Sequence, residues 1–268
     1  MPLAGDDIQA FLRQHPQSVL VEVVAVQGSA PRDVGTWMLV ARDRIFRTIG
    51  GGQLEFLAID HARTMLAGEV AGEMTILLGP EIGQCCGGKV RLQFSHVDAE
   101  KAAALAARIE REIAARPCVY VFGAGHVGNA LAKALSLTPM RTILVDTREA
   151  ELAAAEIDGI DKHHVAMPEN VVRHAPANSS FIVLTHDHAL DFLIAAEALR
   201  RGDAAYVGMI GSKTKRATFR HWLQREMGLE LPEHFACPVG SAVVKDKRPE
   251  IIAALATAEI ISAVCRFQ

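Results

Sequence analysis

The chain lacks the features that mark membrane, secreted and nucleic-acid-binding proteins. Its 268 residues contain no apolar run near the roughly 20 residues that span a bilayer. Its first residues, MPLAGDDIQAFLRQHP, have neither the basic region nor the apolar stretch of a secretion signal. The net charge of −3 gives no bulk attraction to nucleic acid or to an anionic membrane. An odd number of cysteines, five, argues against a disulfide framework. We therefore expect a cytoplasmic, reduced protein whose partners include neither nucleic acid nor a membrane.

Aromatic residues are scarce as well. They make up 5% of the chain, although 50% of its residues are hydrophobic. A chain of this size buries a sizeable core in one or two domains. Because so apolar a chain has surface to hide, we expect a homodimer, although no motif fixes the oligomeric state.

The clearest local pattern lies in residues 117–148, PCVYVFGAGHVGNALAKALSLTPMRTILVDTR. A strand-like apolar run leads into Gly123, Gly125 and Gly128, apolar residues follow at helical spacing, and a second apolar run ends in Asp146. This is the arrangement of a dinucleotide-type βαβ unit, in which glycines let the backbone approach an anion at a helix N-terminus. Strand and helix patterns continue to alternate beyond it, which predicts a Rossmann-like domain with a parallel sheet.

The first part of the chain has a different organisation. Strand-like runs at residues 18–27, 37–40, 45–49, 74–78 and 89–94 accompany a helix that opens near Gln53. An alanine-rich amphipathic segment follows, which is typical of a linker helix. We therefore predict an α/β protein with an N-terminal α+β domain over residues 1–97, a linker helix over 98–116 and a Rossmann-like domain with a C-terminal helix over 117–268.

Two segments of the first domain are candidate ligand sites. Gly50, Gly51 and Gly52 precede a helix, so their N–H groups suit a phosphate cradle, although the spacing alone favours a tight turn. Adjacent Cys85 and Cys86 lie among four glycines, at a spacing that is not that of a zinc site. Glycines leave a thiol sterically open, and nearby amides lower a thiol pKa. Both a functional thiol and a small-residue turn with incidental thiols fit these residues.

Polar residues follow two predicted strands of the second domain. His186 and His188 would share a face on an extended strand, but no third ligand has the spacing of a metal site. A polar loop that lines the ligand crevice is the better interpretation. After Gly211, Ser212 can cap a helix, whereas Lys213 and the basic residues after it oppose the helix dipole unless an anion is present. Cys118 and Cys265 lie in apolar surroundings and are expected in the core.

Several blocks together resemble one family. They are GSAPRDVG (28–35), TIGGGQLE (48–55), LGPEIGQCCGG (78–88), VFGAGHVG (121–128), THDHALD (185–191), YVGMIGSKTKR (206–216) and the segment 237–259. The chain is similar to the XdhC/CoxI family of xanthine dehydrogenase accessory proteins from about residue 18 to the last helix. The GQCCGG and IGSKTKR blocks are specific to that family. The chain departs from it at residues 237–240, CPVG, where family members often carry a histidine after the cysteine.

The resemblance implies a chaperone for molybdenum cofactor, in its molybdopterin form, rather than a turnover enzyme. Family members support sulfuration of the cofactor and its insertion into xanthine dehydrogenase, an enzyme of purine catabolism. The implied partners are the molybdenum-binding subunit of xanthine dehydrogenase, a cysteine desulfurase as sulfur source and the cofactor biosynthesis proteins.

The resemblance also implies the ligand residues. Cys85 is the expected molybdenum ligand through the cofactor, with Cys86 beside it, and Gln84 and Arg32 are expected to hydrogen-bond the pterin. The remaining expected cofactor-binding residues lie in the glycine turns and the crevice loops: Gly50, Gly51, Gly52, Gly123, Gly125, Gly128, Asp146, His186, Gly211, Ser212 and Lys213.

Two alternatives use the Rossmann-like domain differently. An NAD(P)-dependent oxidoreductase would hold NAD or another nucleotide with Asp146 at the ribose hydroxyls. The sequence offers no convincing proton donor–acceptor pair for it, although His126 and His186 are available. A nucleotide-sensing or interaction protein would use the domain passively. Replacement of Cys85 distinguishes the hypotheses. It should abolish cofactor delivery if the protein is a molybdenum cofactor chaperone, and it should leave NAD binding unchanged if the protein is an oxidoreductase.

Overall fold

The computed structural model describes residues 5–68, 72–79, 87–240, 244 and 246–266. The described chain divides into an N-terminal unit, Leu3–Ala114, and a C-terminal unit that begins at Ala115. No helix in these described ranges is long and apolar enough to cross a bilayer.

The N-terminal unit is built on a five-stranded antiparallel sheet. In chain order its strands are β1 (Val19–Gln27), β2 (Trp37–Val40), β3 (Ile45–Phe46), β4 (Glu73–Leu77) and β5 (Lys89–His96). Their order in the sheet is β3-β2-β1-β5-β4. The unit's helices are α1 (Gly5–Gln14), α2 (Gly52–Leu66) and α3 (Ala99–Ala114). The third strand is shorter than the predicted 45–49, because Arg47 takes a left-handed backbone conformation with φ of 67°.

Both faces of this sheet are covered. Val19 and Val21 of β1 pack with Leu54 and Ala58 of α2 on one face. On the other face Leu20, Trp37 and Leu39 pack with Ile8 of α1 and with Leu105 and Ile109 of α3. Burial on both faces explains why β1 is a continuous apolar run rather than an alternating one. It also makes α3, which the sequence suggested as a separate linker, a packed layer of the N-terminal unit.

The pairing of β1 with β5 contains one irregularity. Val23 lies opposite Leu92 and Ala25 lies opposite Arg91, so the register shifts by one residue at Val24. This is the geometry of a β-bulge, which turns the strand and re-aims the residues that follow it. Beyond the bulge, Gln27 pairs with Lys89 at the end of the ladder.

The C-terminal unit is built on a five-stranded parallel sheet. Its strands are β6 (Cys118–Phe122), β7 (Arg141–Asp146), β8 (Asp161–His164), β9 (Ser180–Val183) and β10 (Tyr206–Met209), in the order β10-β9-β6-β7-β8. Its helices are α4 (His126–Leu135), α5 (Glu149–Ala154), α6 (Pro168–His174), α7 (His188–Arg201), α8 (Lys213–Met227) and α9 (Pro249–Val264).

This strand order confirms the Rossmann-like prediction. Counted from β6, the order is 3-2-1-4-5, and the chain reverses direction across the sheet between β6 and β9. Ligands of such sheets bind at that reversal, outside the carboxyl ends of the strands. One face carries α4, α5 and α9, the other carries α6, α7 and α8. Helix α6 has no counterpart in the sequence-based prediction.

Candidate functional site

The glycine loop after β6 has the geometry of a ligand-binding turn. Gly128 packs α4 against the loop, since a Cβ there would lie 1.7 Å from the carbonyl oxygen of Gly123. Gly123 has a φ of +113° and packs against the backbone of Leu184. A Cβ on Gly125 would meet nothing within 4 Å. Two of the predicted glycines therefore serve packing, and Gly125 leaves room at the start of α4, where N–H groups favour an anion.

Asp146 lies beside this loop, at the end of β7, and is 5% exposed. Its Oδ2 accepts the N–H of Ala124 at 2.6 Å, and both carboxylate oxygens accept hydrogen bonds from the Arg148 guanidinium at 2.9 and 3.0 Å. Burial by itself raises the pKa of Asp146, but the hydrogen bonds from Arg148 and from the amides of Ala124 and Arg148 outweigh it and lower the pKa. The Asp146 carboxylate, which the oxidoreductase alternative assigns to ribose binding, thus holds the glycine loop through the amide of Ala124.

A buried ion pair holds the loops after β9 and β10. Asp191 is fully buried and accepts hydrogen bonds from the amide and the hydroxyl of Thr185, at 3.0 and 2.7 Å, and from the ammonium of Lys215. The Lys215 side chain is 10% exposed. A Cβ on Gly211 would lie 2.7 Å from its Cδ, so the glycine makes room for the lysine stem. Lys215, which a helix-dipole argument makes unfavourable, is therefore neutralised internally.

The remaining crevice residues are exposed. Ser212 caps α8 by accepting the N–H of Lys215 at 3.2 Å, as predicted. Lys213 and His186 are both exposed. Among the described residues, no group of three or more His, Cys, Asp or Glu side chains could hold a metal ion.

In the N-terminal unit, the three-glycine turn is closed by a carboxylate. Glu55 Oε2 accepts the N–H groups of Ile49 and Gly51 at 3.0 and 3.2 Å, and the Thr48 hydroxyl accepts the N–H of Gly50 at 3.0 Å. The φ angles of Gly50, Gly51 and Gly52 are 124°, 74° and 66°. The amides of Gly50 and Gly51 thus already have acceptors, which favours a tight turn over a phosphate cradle.

Three motif segments meet around this turn. A Cβ on Gly50 would lie 3.0 Å from Pro31 and 3.2 Å from Cγ of Arg32. Gly87 forms a bridge with Ser29, and a Cβ on Gly88 would lie 2.0 Å from the Ser29 oxygen. Block 28–35 thus contacts block 78–88 through backbone atoms and block 48–55 through the side chains of Pro31 and Arg32. Gln84, Cys85 and Cys86 of the predicted site lie outside the described residues.

Arg32 lines a pocket of about 400 Å³ in the same unit. Three arginines, Arg32, Arg47 and Arg108, line it together with Trp37 and Glu112, and we call it the arginine pocket. The Arg47 guanidinium lies 4.4 Å from the centroid of the Trp37 ring.

Sequence reasoning considered Asp191 and Lys215, but not as partners. It missed several other residues that organise these sites: Glu55, Trp37, Arg47, Arg108 and Arg148. Glu55 had a local signal, an acid in the first turn of a helix that follows a glycine turn. The pocket arginines had none, because their partners are remote in sequence. Burial raises the pKa of the Cys118 and Cys237 thiols, so neither is an activated nucleophile. Cys265 is exposed, and its predicted place in the core is wrong.

Fold and site together define a two-unit α/β protein whose Rossmann unit has an open glycine loop at its crevice. The XdhC Rossmann domain matches residues 119–260, just over half of the chain, and the XdhC and CoxI family matches residues 11–76. The chain therefore belongs to the XdhC and CoxI family. Membership supports an accessory role associated with xanthine dehydrogenase.

One solved structure shares the fold of this chain over nearly its whole length. A Bacillus halodurans protein whose crystal structure is described as a xanthine dehydrogenase is similar over 99% of this chain and 97% of its own, with 17% identity and a TM-score of 0.82. The NAD(P)-binding domain of an exopolyphosphatase-related protein from Archaeoglobus fulgidus matches 38% of this chain and 80% of its own, with 18% identity and a TM-score of 0.33. The tRNA N6-threonylcarbamoyladenosine dehydratase of E. coli matches 64% of this chain and 98% of its own, with 12% identity and a TM-score of 0.42. The last two scores are too low to carry an argument, and no curated protein matches the chain significantly.

Proposed function

We propose that this protein binds molybdenum cofactor as cargo, supports its sulfuration and delivers it to the molybdenum-binding subunit of xanthine dehydrogenase. Family membership supports the accessory role, and the proposal adds the cargo and its handling. A cysteine desulfurase supplies the sulfur, and cofactor biosynthesis proteins supply the cargo. By family resemblance, Cys85 is the proposed molybdenum ligand, because a thiolate is a soft ligand that suits this metal.

The convergence of the three motif segments in the N-terminal unit carries the proposal. Gly88 packs against the backbone of Ser29 at a distance that only glycine permits, and Gly50 packs against the side chains of Pro31 and Arg32. Sequence blocks separated by tens of residues are therefore in contact. Ligand-binding residues commonly lie on loops that a rigid scaffold positions. Arg32 and the neighbouring arginines supply donors that fit an anionic, oxygen-rich cargo.

The oxidoreductase alternative has less support. A dehydrogenase of this fold needs a free carboxylate at the end of its second strand for the ribose hydroxyls. Here both oxygens of Asp146 accept hydrogen bonds from Arg148, and one also accepts the amide of Ala124. A nucleotide would have to displace Arg148 before it reached the carboxylate. The open position at Gly125 leaves the crevice able to hold a phosphate without that contact.

Anaerobic equilibrium binding of molybdenum cofactor tests the proposal. We would compare wild-type protein, Cys85→Ala and Cys265→Ala, the last as a control because Cys265 is an exposed thiol of the other unit. NAD is titrated in parallel. We expect tight cofactor binding that Cys85→Ala loses and Cys265→Ala retains, followed by activation of apo xanthine dehydrogenase. Binding of NAD without binding of molybdenum cofactor would overturn the proposal.

A further inference from the structure

Two residues that line the arginine pocket each carry a buried hydrogen-bond donor with no acceptor among the described residues. Trp37 is 1% exposed, and its indole Nε1 has no hydrogen-bond partner among the described residues. The same holds for Nη1 of Arg47, whose guanidinium stacks on that indole. Buried donors are nearly always paired in native proteins, so two unpaired donors beside one pocket are consistent with an acceptor that comes from outside the chain. The complementary group is one that carries several acceptor oxygens close together.

The charged residues of the pocket favour a negatively charged ligand group. Arg108 is fully engaged, with bonds to Glu22 at 3.2 Å, to Glu112 at 3.4 Å and to the carbonyl of Gly35. Arg47 shares Glu112 through its other nitrogen, Nη2, at 3.2 Å. Arg32 is exposed and makes no ion pair within the ranges that the structure describes. Of the three pocket arginines, Arg47 and Arg108 therefore have carboxylate partners, whereas Arg32 has none among the described residues.

The contact that an incoming anion must replace is weak. Side-chain exposure is 43% for Glu112 and 29% for Arg47, and ion pairs this open to solvent contribute little stability. An oxyanion that displaces Glu112 would gain Arg47 and Arg32 together and would supply acceptors for the orphan donors once Arg47 shifts. Arginine suits phosphate in particular, because its planar fork donates two parallel hydrogen bonds to such oxygens.

We propose that the arginine pocket is a binding site for the phosphate group of a small phosphorylated molecule. The nearby three-glycine turn is a weaker candidate, since Glu55 and Thr48 already accept the N–H groups of Gly51 and Gly50. The inference deepens the proposed function, which already assigns these arginines to an anionic cargo, by naming phosphate as the group that they bind; it requires no molybdenum centre on the ligand.

Intrinsic fluorescence offers a direct test, since the chain has two tryptophans. Trp222 packs among phenylalanines of the C-terminal unit, 5.7 Å from Phe192. A Trp222→Phe background keeps that packing and leaves Trp37 as the sole reporter. Inorganic phosphate and pyrophosphate are titrated into the full chain, with sodium chloride at matched ionic strength as the blank. We expect a saturable change in Trp37 emission with phosphate and pyrophosphate and none with chloride.

Substitutions then separate a binding site from a surface ion-pair network. Arg32→Gln and Arg47→Gln should each weaken phosphate binding about tenfold, as expected for the loss of a charge-assisted hydrogen bond. Glu112→Gln should tighten it roughly threefold, because the competing carboxylate is gone. Arg42→Gln, an exposed arginine outside the pocket, is the matched control and should change nothing.

Each outcome decides the inference. Absence of a saturable response in the Trp222→Phe protein, or equal binding by the Arg32→Gln and wild-type proteins, would overturn it, and Arg32 is exposed enough for its variant to fold. Weaker binding after Glu112→Gln would mean that this carboxylate holds the arginines in place rather than competing, which also contradicts the inference. If phosphate fails to bind while molybdenum cofactor still binds through Cys85, only this inference falls and the proposed function stands.

Discussion

Disruption of the buried Asp191–Lys215 pair should cost the C-terminal unit a large part of its stability. Asp191 is fully buried and Lys215 is 10% exposed on its side chain, so neither charge is rehydrated when its partner is removed. Breaking such a pair from one side costs about 3–5 kcal/mol. Lys215→Met leaves the carboxylate with only the Thr185 donors, and Asp191→Asn leaves a buried ammonium beside a neutral amide. Both single variants should therefore lose about that much unfolding free energy.

Urea unfolding followed by Trp222 fluorescence measures the loss, because Trp222 packs within the C-terminal unit and a Trp37→Phe background removes the other tryptophan. With a urea slope of about 2 kcal/mol per molar, the midpoint should fall by roughly 1.5–2.5 M. The double variant should lose at least about 2 kcal/mol less unfolding free energy than the sum of the losses in the two single variants. Lys213→Met, an exposed lysine on the same helix, should stay within about 0.5 kcal/mol of the parent. Single variants within about 1 kcal/mol of the parent, or strictly additive losses, would refute the argument.

Three further predictions concern single positions of the C-terminal unit. Gly128→Ala should unfold the unit or cost it several kcal/mol, because its Cβ would lie 1.7 Å from the Gly123 oxygen, whereas Gly125→Ala should melt within a few degrees of wild type by calorimetry. The lowered pKa of Asp146 stabilises the fold above the ordinary value of 3.8, and this stability is lost as pH falls through the lowered pKa. Asp146→Asn should therefore melt lower than wild type at neutral pH, and the difference should shrink as pH falls through the lowered pKa of Asp146. A difference that does not change with pH would contradict this. Tyr206→Phe should cost about 1–2 kcal/mol in urea unfolding, because the buried phenol donates to a glutamate of α9 at 2.7 Å. No loss would mean that water replaces that bond.

The Rossmann unit could be predicted because its determinants are local. Gly123 and Gly128 contact each other within one turn, and the strand that ends in Asp146 follows directly. The spacing of these residues along the chain is therefore enough to predict the βαβ unit. Residue spacing could not predict that Asp146 pairs with Arg148, because the sequence fits an Arg148 side chain in solvent equally well.

The N-terminal unit and the candidate sites depended more on contacts between distant segments. An amphipathic stripe on α3 indicates that the helix packs on something, but not that it packs on the sheet that precedes it. Arg47 and Arg108 reach one pocket from different elements. Lys215 resembled a solvated lysine because lysines are rarely buried, and its partner Asp191 belongs to another helix.

Because β1 contains a bulge at Val24, the position of the loop that carries Arg32 depends on the number of residues in the strand more than on their side chains. Because β1 is apolar on both faces, a slip of one residue would still present hydrophobic side chains to both layers, and the hydrophobic pattern hardly opposes it. The extra residue sets where the ladder ends, and so where Ser29 meets Gly87. Chain length between the centre of the sheet and this loop is therefore constrained more tightly than residue identity. Substitutions in the second half of β1 should therefore be tolerated. An insertion or deletion of one residue at the same positions should instead separate the three motif segments.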